Sequence, residues 1–292
     1  MKSGLVVLVG RSNVGKSTLL NTLVGAKISA TSFRAQMTRQ IIHGVLNVPA
    51  GLGSPKPSEG GQAVFVDTPG VFKDRKNRLS AILTGKVRNA LEGIDLIVYV
   101  VDPSREIGDE ERAAMGLIRH LEIPKILVIN KSDLPLRERE HQESYEAWGK
   151  DFSAVLSLSA IRGRHIQPLR DKVIELLPEG EPLYEGEQLT NITNDFWIAE
   201  IIREKVYSVF DKEVPYSITV EVDNLEDKPK IYVIQARILT DAERYKKIII
   251  GRGGSKIKEI GQLARRELET AIGKKVYLEL EVEVDPHWVE RV

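Results

Sequence analysis

The chain has no cysteine and only three methionines and three tryptophans among its 292 residues. Without a thiol it can hold no disulfide framework, no zinc knuckle and no cysteine nucleophile, which favours a reducing compartment. Its five histidines, His43, His120, His141, His165 and His287, are scattered without metal-ligand spacing and read as surface or core residues. Long apolar runs are missing as well. A membrane span needs about 18 such residues, whereas the best stretch, Ile94 to Val101, is short and interrupted by Asp95. The first apolar run, Leu5 to Val9, is too brief for a secretory signal and leads straight into a glycine-rich loop, so a cytosolic protein is expected.

An excess of charge of either sign is the next absence, since 42 Lys+Arg balance 42 Asp+Glu. Even mixing would argue against a nucleic-acid partner, but the charge is not evenly mixed. Residues 1–180 carry 25 basic and 20 acidic side chains, and residues 181–292 carry 17 and 22. Inside the acidic half, Arg244 to Lys275 holds ten basic residues against three acidic ones. At 42% hydrophobic the chain can bury a core, which excludes disorder and collagen-like classes, and its length suits two domains.

The two halves have different rhythms. In the first, continuous apolar runs (Leu5 to Val9, Ile94 to Val101, Ile126 to Ile129) alternate with helix-like stretches such as Ser17 to Val24 and Asp109 to Leu121. That is the pattern of a mostly parallel, doubly wound α/β sheet covered on both faces. Residues 47–61 are rich in Gly, Pro and Ser and predict a mobile loop between strands. The run Leu177-Pro178-Glu179-Gly180-Glu181-Pro182 cannot continue a helix and sets the boundary, giving domains at 1–178 and 191–292 with a linker at 179–190. The second half reads helix, strand, strand, helix, helix, strand, an α+β order, with Gly251-Arg252-Gly253-Gly254 between its last two helices.

Gly10-Arg11-Ser12-Asn13-Val14-Gly15-Lys16-Ser17, followed by Thr18, comes directly after a strand and opens a helix. In this context the G-x-x-x-x-G-K-[ST] spacing makes a phosphate-binding nest: backbone N–H groups and the helix N-terminus face the anion, Lys16 reaches the terminal phosphates and Ser17 ligates Mg²⁺. Asp67-Thr68-Pro69-Gly70 follows the strand Ala63 to Val66, where Asp67 can support the Mg²⁺ shell and the Gly70 N–H can meet a γ-phosphate. Within Phe33 to Gln40, Thr38 is the preferred switch residue, able to ligate Mg²⁺ only while the γ-phosphate is present, with Thr31 and Ser32 as rivals. Lys16, Thr38 and Gly70 are accordingly the candidate catalytic groups.

Asn130-Lys131-Ser132-Asp133 follows the strand Ile126 to Ile129. Asp133 can accept two hydrogen bonds from the N1–H and 2-amino group of guanine, which adenine does not offer. The Lys131 stem can cover the base face, Asn130 can tie the loops together, and the Ser159-Ala160 loop can offer a backbone N–H to the base oxygen. GTP is therefore expected over ATP. Val71 stands where a Ras-type enzyme carries a water-orienting Gln, so unassisted turnover should be slow, and Asn13 offers an oxygen for a helper K⁺.

In the second half, glycines at 251, 253 and 254 let a nucleic-acid backbone approach the main chain. Lys246, Lys247, Arg252, Lys256 and Lys258 can neutralise its phosphates, with Ile250 and Ser255 flanking the loop. Ile249, Ile250, Ile257 and Ile260 can pack against bases or fill the core, and Trp288 can stack on a base or anchor the chain end. Glu279, Glu281 and Glu283 alternate with Leu278, Leu280, Val282 and Val284 on the last strand, so the acidic side chains should repel phosphate away from the glycine loop.

Taken together, Gly10 to Ser17, Asp67 to Gly70, Asn130 to Asp133, Ser159-Ala160, Leu177 to Gly180, Ala199 to Lys205, Val214 to Ser217 and Ile250 to Gly254 resemble the bacterial Era family over nearly the whole chain. The resemblance implies a P-loop GTPase domain followed by a type II KH domain. It also implies a monomer that binds single-stranded small-subunit ribosomal RNA near its 3′ end, assists assembly of the small ribosomal subunit and associates peripherally with the inner membrane. The chain departs from the family at Met37, where a Thr is usual, in a longer 47–61 segment, and in a short acidic tail from Val284. A second reading makes the C-terminal half a module for a protein or membrane partner that never touches RNA. A third, an ATPase, is disfavoured by Asp133.

Overall fold

The computed structural model describes residues 1–31, 37–49, 60–70, 78–186, 188–211 and 213–291. They form two compact units, Met1–Asn191 and Ile192–Val292. In the first, β1 (Lys2–Val9), β2 (Ile42–Val48), β3 (Gly61–Asp67), β4 (Leu96–Val101), β5 (Lys125–Ile129) and β6 (Ala154–Ser157) make one sheet in the order β2-β3-β1-β4-β5-β6. All neighbours are parallel except β2 and β3. The helices are α1 (Lys16–Val24), α2 (Arg78–Asn89), α3 (Asp109–Ile118), α4 (Gln142–Glu146) and α5 (Ile166–Leu176).

The apolar runs within β1, β3, β4 and β5 follow from burial on both faces: every residue of β3 and β4 is buried, Tyr99 and the polar Gln62 included. Helix ends fall within a few residues of the expected positions, and β2 and α2, which carry no strong motif, are the elements the sequence does not announce. Most of the 47–61 loop lies outside the described residues, as do Ser32 and Val71.

The segment expected to be a linker belongs to the first unit. The Ser3 N–H donates to Pro178 O at 3.0 Å, the Gly180 N–H to Met1 O at 3.0 Å and the Val45 N–H to Leu189 O at 2.8 Å. Gln62 is the clamp, 2% exposed in β3. Its Oε1 accepts from the Leu183 and Tyr184 N–H groups at 2.7 and 2.9 Å, and its Nε2 donates to Tyr184 O at 2.8 Å and Asn47 Oδ1 at 3.0 Å. A Pro- and Gly-rich composition predicted the chain's turn here but carried no sign that Gln62 would hold it.

The second unit contains α6 (Asn194–Val209), β7 (Ile218–Asp227), β8 (Ile231–Thr240), α7 (Glu243–Ile250), α8 (Ser255–Ile272) and β9 (Lys275–Val284). Its sheet runs β7-β8-β9, antiparallel then parallel. Thr193 caps α6 by accepting from the Phe196 N–H. Ile198, Ile202 and Val206 of α6 meet Ile249, Ile260, Ala264 and Leu268 of α7 and α8 in one core. Trp288 is 1% exposed, so it anchors the chain end and offers no stacking face.

Gln62→Met keeps volume but leaves two N–H groups and a carbonyl of the 183–184 segment without their partner. A loss of about 1–2 kcal/mol is expected, with faster amide exchange at Leu183 and Tyr184; urea titration and hydrogen exchange check it, and unchanged exchange there would contradict the clamp.

Candidate functional site

Most functional residues of the first unit sit at or just beyond the carboxyl ends of parallel strands, Gly10 after β1, Asp67 ending β3, Asp102 after β4, Asn130 after β5 and Ser159 after β6, while Lys16 and Ser17 open α1 and Thr38 precedes β2. Strand order reverses around β1, so the loops splay apart there and leave a crevice. Gly15 at the start of α1 has φ +98, and a Cβ on it would lie 2.3 Å from Asn130 Nδ2. A Cβ on Gly70 would lie 2.7 Å from Ser12 Cα, so the turn after β3 can press on the phosphate loop only as glycine.

At the phosphate end, Ser12, Asn13, Gly15, Lys16, Ser17, Thr18, Thr31, Met37, Thr38 and Gly70 share one pocket. The Lys16 ammonium donates to Gly10 O at 3.1 Å and Arg11 O at 3.0 Å. Burial brings its pKa down to about 8 against the opposing pull of Asp67 and Glu111. An entering anion would stabilise that charge. Ser17 Oγ donates to Asp67 Oδ2 at 2.6 Å and lies 2.9 Å from Thr38 Oγ1, while Asp67 Oδ1 is buried and has no hydrogen-bond partner among the described residues. Burial pushes the Asp67 carboxyl up, with Ser17, Lys16 and Ser29 pulling it back. One carboxylate with an open oxygen beside two hydroxyls is a hard, oxygen-only donor set that suits Mg²⁺ with waters and phosphate completing its shell. Thr31 lines the same pocket as Thr38, but it is Thr38 whose hydroxyl reaches Ser17.

The base end adjoins it. Asn13, Gly15, Thr18 and Thr31 line both the phosphate pocket and a second one formed with Ser104, Asn130, Lys131, Asp133, Leu134, Glu138, Ala160 and Ile161. Asn130 ties the loops as expected: its Nδ2 donates to Val14 O at 2.8 Å and its Oδ1 accepts from the Ala160 N–H at 2.9 Å. Asp133 Oδ1 accepts from Ser159 Oγ at 2.5 Å, which aims the carboxylate. The backbone donors of the Ser159-Ala160 loop are engaged, Ser159 N–H by Arg164 O and Ala160 N–H by Asn130, so a base oxygen has to compete with Asn130 for the latter. Thr68 and Pro69 stay structural neighbours, the Thr68 hydroxyl donating to Leu8 O.

Several residues of this site were not singled out from the sequence. Asp102, fully buried, accepts from Lys131 Nζ at 2.5 Å and holds the stem that would cover a base; its position just after a buried strand repeats that of Asp67 and was a readable sign. Ser29 donates to Asp67 Oδ2 at 3.0 Å, and Glu111 makes a buried ion pair with Arg11. Neither carries a local signal, because Ser29 sits in an irregular turn and Glu111 looks like one more acid in the first turn of α3.

In the second unit, Gly251, Gly253 and Gly254 have φ of +72, +58 and +77, so the turn between α7 and α8 needs residues without a Cβ penalty. Lys247, Arg252, Ser255 and Lys258 are exposed there, and Lys246, Ile250 and Lys256 half-buried. Lys256 Nζ pairs with Glu259 at 2.8 Å, which diminishes its expected role. Ile249 and Ile260 are core, whereas Ile257 lines a groove with Lys258, Gly261, Gln262, Arg265, Tyr277, Leu278 and Leu280. The groove along α8 and β9 was missed because its parts are far apart in sequence. Glu279 and Glu283 point to the other face of β9, bonded to Gln235 and Arg237.

Residues 5–131 match the family model described as 50S ribosome-binding GTPase, and residues 213–289 match the KH domain. The chain is 38% identical to the GTPase Era of Thermoanaerobacter sp. (strain X514) over 98% of its own length and 92% of that protein. It is 38% identical to the GTPase Era of Halothermothrix orenii over 99% and 95%. Among solved structures, a point variant of Aquifex aeolicus Era bound to GDP and AlF4⁻ is 35% identical with a TM-score of 0.89, covering 100% of this chain and 96% of that one. The structure of Era with MgGDPNP and nucleotides 1506–1542 of 16S ribosomal RNA has the same identity, TM-score and coverage. With a P-loop GTPase domain followed by a KH domain, and with this likeness over its full length, the chain belongs to the Era family of GTPases.

Proposed function

We propose that this GTPase is an RNA-binding switch that engages small-subunit ribosomal RNA near its 3′ end through the groove of its second unit and assists assembly of the small ribosomal subunit. The observation that carries the nucleotide half is the shared wall of Asn13, Gly15, Thr18 and Thr31: one pocket lined by a buried ammonium and one lined by Asp133 and Lys131 are contiguous, as a guanine nucleotide requires. The main chain of Gly10 to Thr18, the Lys16 ammonium and the Gly70 N–H bind the phosphates, with Thr68 and Pro69 shaping the turn between Asp67 and Gly70, and Asn130, Lys131, Asp133, Ser159 and Ala160 hold the base. Ser17, Thr38 and Asp67 would hold Mg²⁺, which supplies charge neutralisation at the terminal phosphates.

Lys16 stabilises charge on the terminal phosphates, the Gly70 N–H meets the γ-phosphate, and Thr38 completes the site only when that phosphate is present. Val71 follows Gly70 in the sequence where Ras-type enzymes carry the water-orienting Gln, and turnover without an activator is slow. Asn13, held at φ +63 in the phosphate loop, supplies oxygen for a K⁺ that takes over part of this role. K⁺ should then raise kcat over Na⁺ at equal ionic strength by about tenfold, on the order of 1.4 kcal/mol of barrier; equal steady-state rates in the two salts would remove the cation from the mechanism.

For the second unit, the glycine loop grips phosphates while bases lie in the groove of Ile257, Tyr277, Leu278 and Leu280, where aromatic and apolar surface is open. Family resemblance and the structure of Era with 16S ribosomal RNA support this partner. On the family resemblance we place the protein in the cytoplasm as a monomer, with any membrane attachment peripheral; no described helix is long and apolar enough to cross a membrane.

Asp133→Asn should lower GTP affinity at least about 100-fold and favour xanthosine triphosphate, whose 2-oxo group needs a donor. Competitive titration with the two nucleotides measures it, and unaltered preference would displace Asp133 from the base.

Nothing lies within 4 Å of a Cβ built on Gly253, so Gly253→Asp should fold and place a carboxylate against phosphate, whereas Gly253→Asn should share its backbone cost without its charge. Filter binding to a 3′-terminal small-subunit RNA fragment at several salt concentrations should show a loss of at least tenfold for Asp and a small one for Asn. Undiminished, salt-sensitive binding by the Asp variant would put the RNA elsewhere, and no RNA binding by the unaltered chain would favour a protein or membrane partner.

A further inference from the structure

Arg11 is a member of the phosphate loop that lines neither of its pockets. Its side chain is 4% exposed and turned into the first unit, where its Nε lies 3.0 Å from Glu111 Oε2 in α3, a carboxylate with no solvent exposure. Hydrogen bonds surround the pair, although the Arg11 Nε–H meets Glu111 as an ion pair and makes no hydrogen bond among the described residues. Arg11 Nη1 donates to Glu106 O at 3.0 Å and Nη2 to the Tyr145 hydroxyl at 3.4 Å. Glu111 Oε1 accepts from the Tyr99 hydroxyl of β4 at 2.5 Å and Oε2 from the Tyr145 hydroxyl of α4 at 3.2 Å. A second arginine returns the connection to the loop, Arg105 Nη1 donating to Ser12 O at 3.0 Å.

Such an arrangement is a poor way to gain stability alone. Two buried charges lose their hydration, and an apolar pair of similar volume commonly stabilises a fold as well or better. What an ion pair with a carbonyl and two hydroxyls around it does provide is one direction and one distance for the arginine. That matters at Arg11 because its own carbonyl, with that of Gly10, receives the Lys16 ammonium. The side chain of Arg11 is fastened to α3, and its main chain sets where Lys16 stands. A displacement of the order of 1 Å in such a positioning element is enough to cost about 100-fold in rate.

We propose that Arg11 and Glu111 are positioning residues for the nucleotide phosphates: their buried pair fixes the phosphate loop against α3 and thereby places the Lys16 ammonium, while Tyr99 and Tyr145 orient the carboxylate. Neither side chain touches the nucleotide. The inference rests on the reading of Gly10 to Ser17 as the phosphate loop, and it assigns functions to Glu111, Tyr99 and Tyr145 that no nucleotide motif contains.

The test separates position from stability. In the double variant Arg11→Met with Glu111→Leu the charges leave together, and the two tyrosine hydroxyls keep main-chain acceptors in Glu111 O and Arg105 O. Its thermal midpoint should stay within a few degrees of the unaltered protein, while calorimetric titration should show GDP affinity at least tenfold weaker and GTP turnover lower by a similar factor or more. Affinities for GDP and inosine diphosphate should fall in parallel, because the base loops are untouched. Glu111→Gln, which keeps shape but removes the charge, should show a smaller loss of the same kind and decides the matter if the double variant does not fold. A folded variant that binds GDP within twofold of the unaltered protein would overturn the proposal, as would a change in the ratio of GDP to inosine diphosphate affinity. Failure of the unaltered protein to bind GDP would overturn the nucleotide reading and the proposal together.

Discussion

The first unit is organised around charges that have no access to water. Lys16 is 6% exposed, Asp67 and Glu111 are fully buried, and all three belong to or border the loop after β1. Left unpaired, each would cost several kcal/mol. The structure keeps them by surrounding each with donors or acceptors of fixed direction: carbonyls for the ammonium, hydroxyls for the carboxylates and an arginine for Glu111. The residual strain shows in opposite displacements, the Lys16 ammonium pushed down and the Asp67 carboxyl pushed up by the same loss of solvent. A divalent cation beside Asp67 and an anionic group beside Lys16 would relieve both, which is the complementarity the proposed nucleotide site requires.

This explains why the parallel sheet is so apolar. Charges at the strand ends can be held in low dielectric only if nothing further down competes for them, and β3 and β4 are buried along their whole length. Rigidity below permits close approach above: Gly70 meets Ser12 and Gly15 meets Asn130 at distances that any side chain would forbid. The edge of the sheet is handled differently. β2, the antiparallel edge strand beside β3, receives the returning chain at Leu189 and Thr190, so the last residues of the first unit cover an edge that would otherwise be open.

What the sequence made legible divides along a physical line. Residues that act through local geometry, the loop from Gly10 to Ser17, Asp67 after β3, Asn130 to Asp133 after β5 and the glycine turn after α7, could be placed because their spacing and their strand or helix context are both encoded within ten or so positions. Residues that act through distant partners could not. Glu111 takes its role from Arg11, Tyr99 and Tyr145, Gln62 from a segment more than a hundred positions later, and the groove along α8 from side chains on β9. Ala160 is the intermediate case: its place in the pocket with Lys131 and Asp133 was readable, but not that its N–H would be engaged by Asn130.

The zero net charge of the chain takes its meaning from the same distinction. In the second unit many of the cations are already paired with acids, and those that are not matter more than the total. Arg237 on β8 lies among Glu221, Asp223 and Glu283, so that cation is consumed on the outer surface of the sheet. Lys274 and Lys256 are likewise matched with Asp227 and Glu259. Lys247, Arg252, Lys258 and Arg265 stand near the glycine turn and the groove, where apolar Leu278 and Leu280 are open to a base. A net charge of zero therefore understates the positive charge available to a polyanion at the glycine turn and the groove proposed to hold RNA, since Glu279 and Glu283 are bonded on the other face of β9.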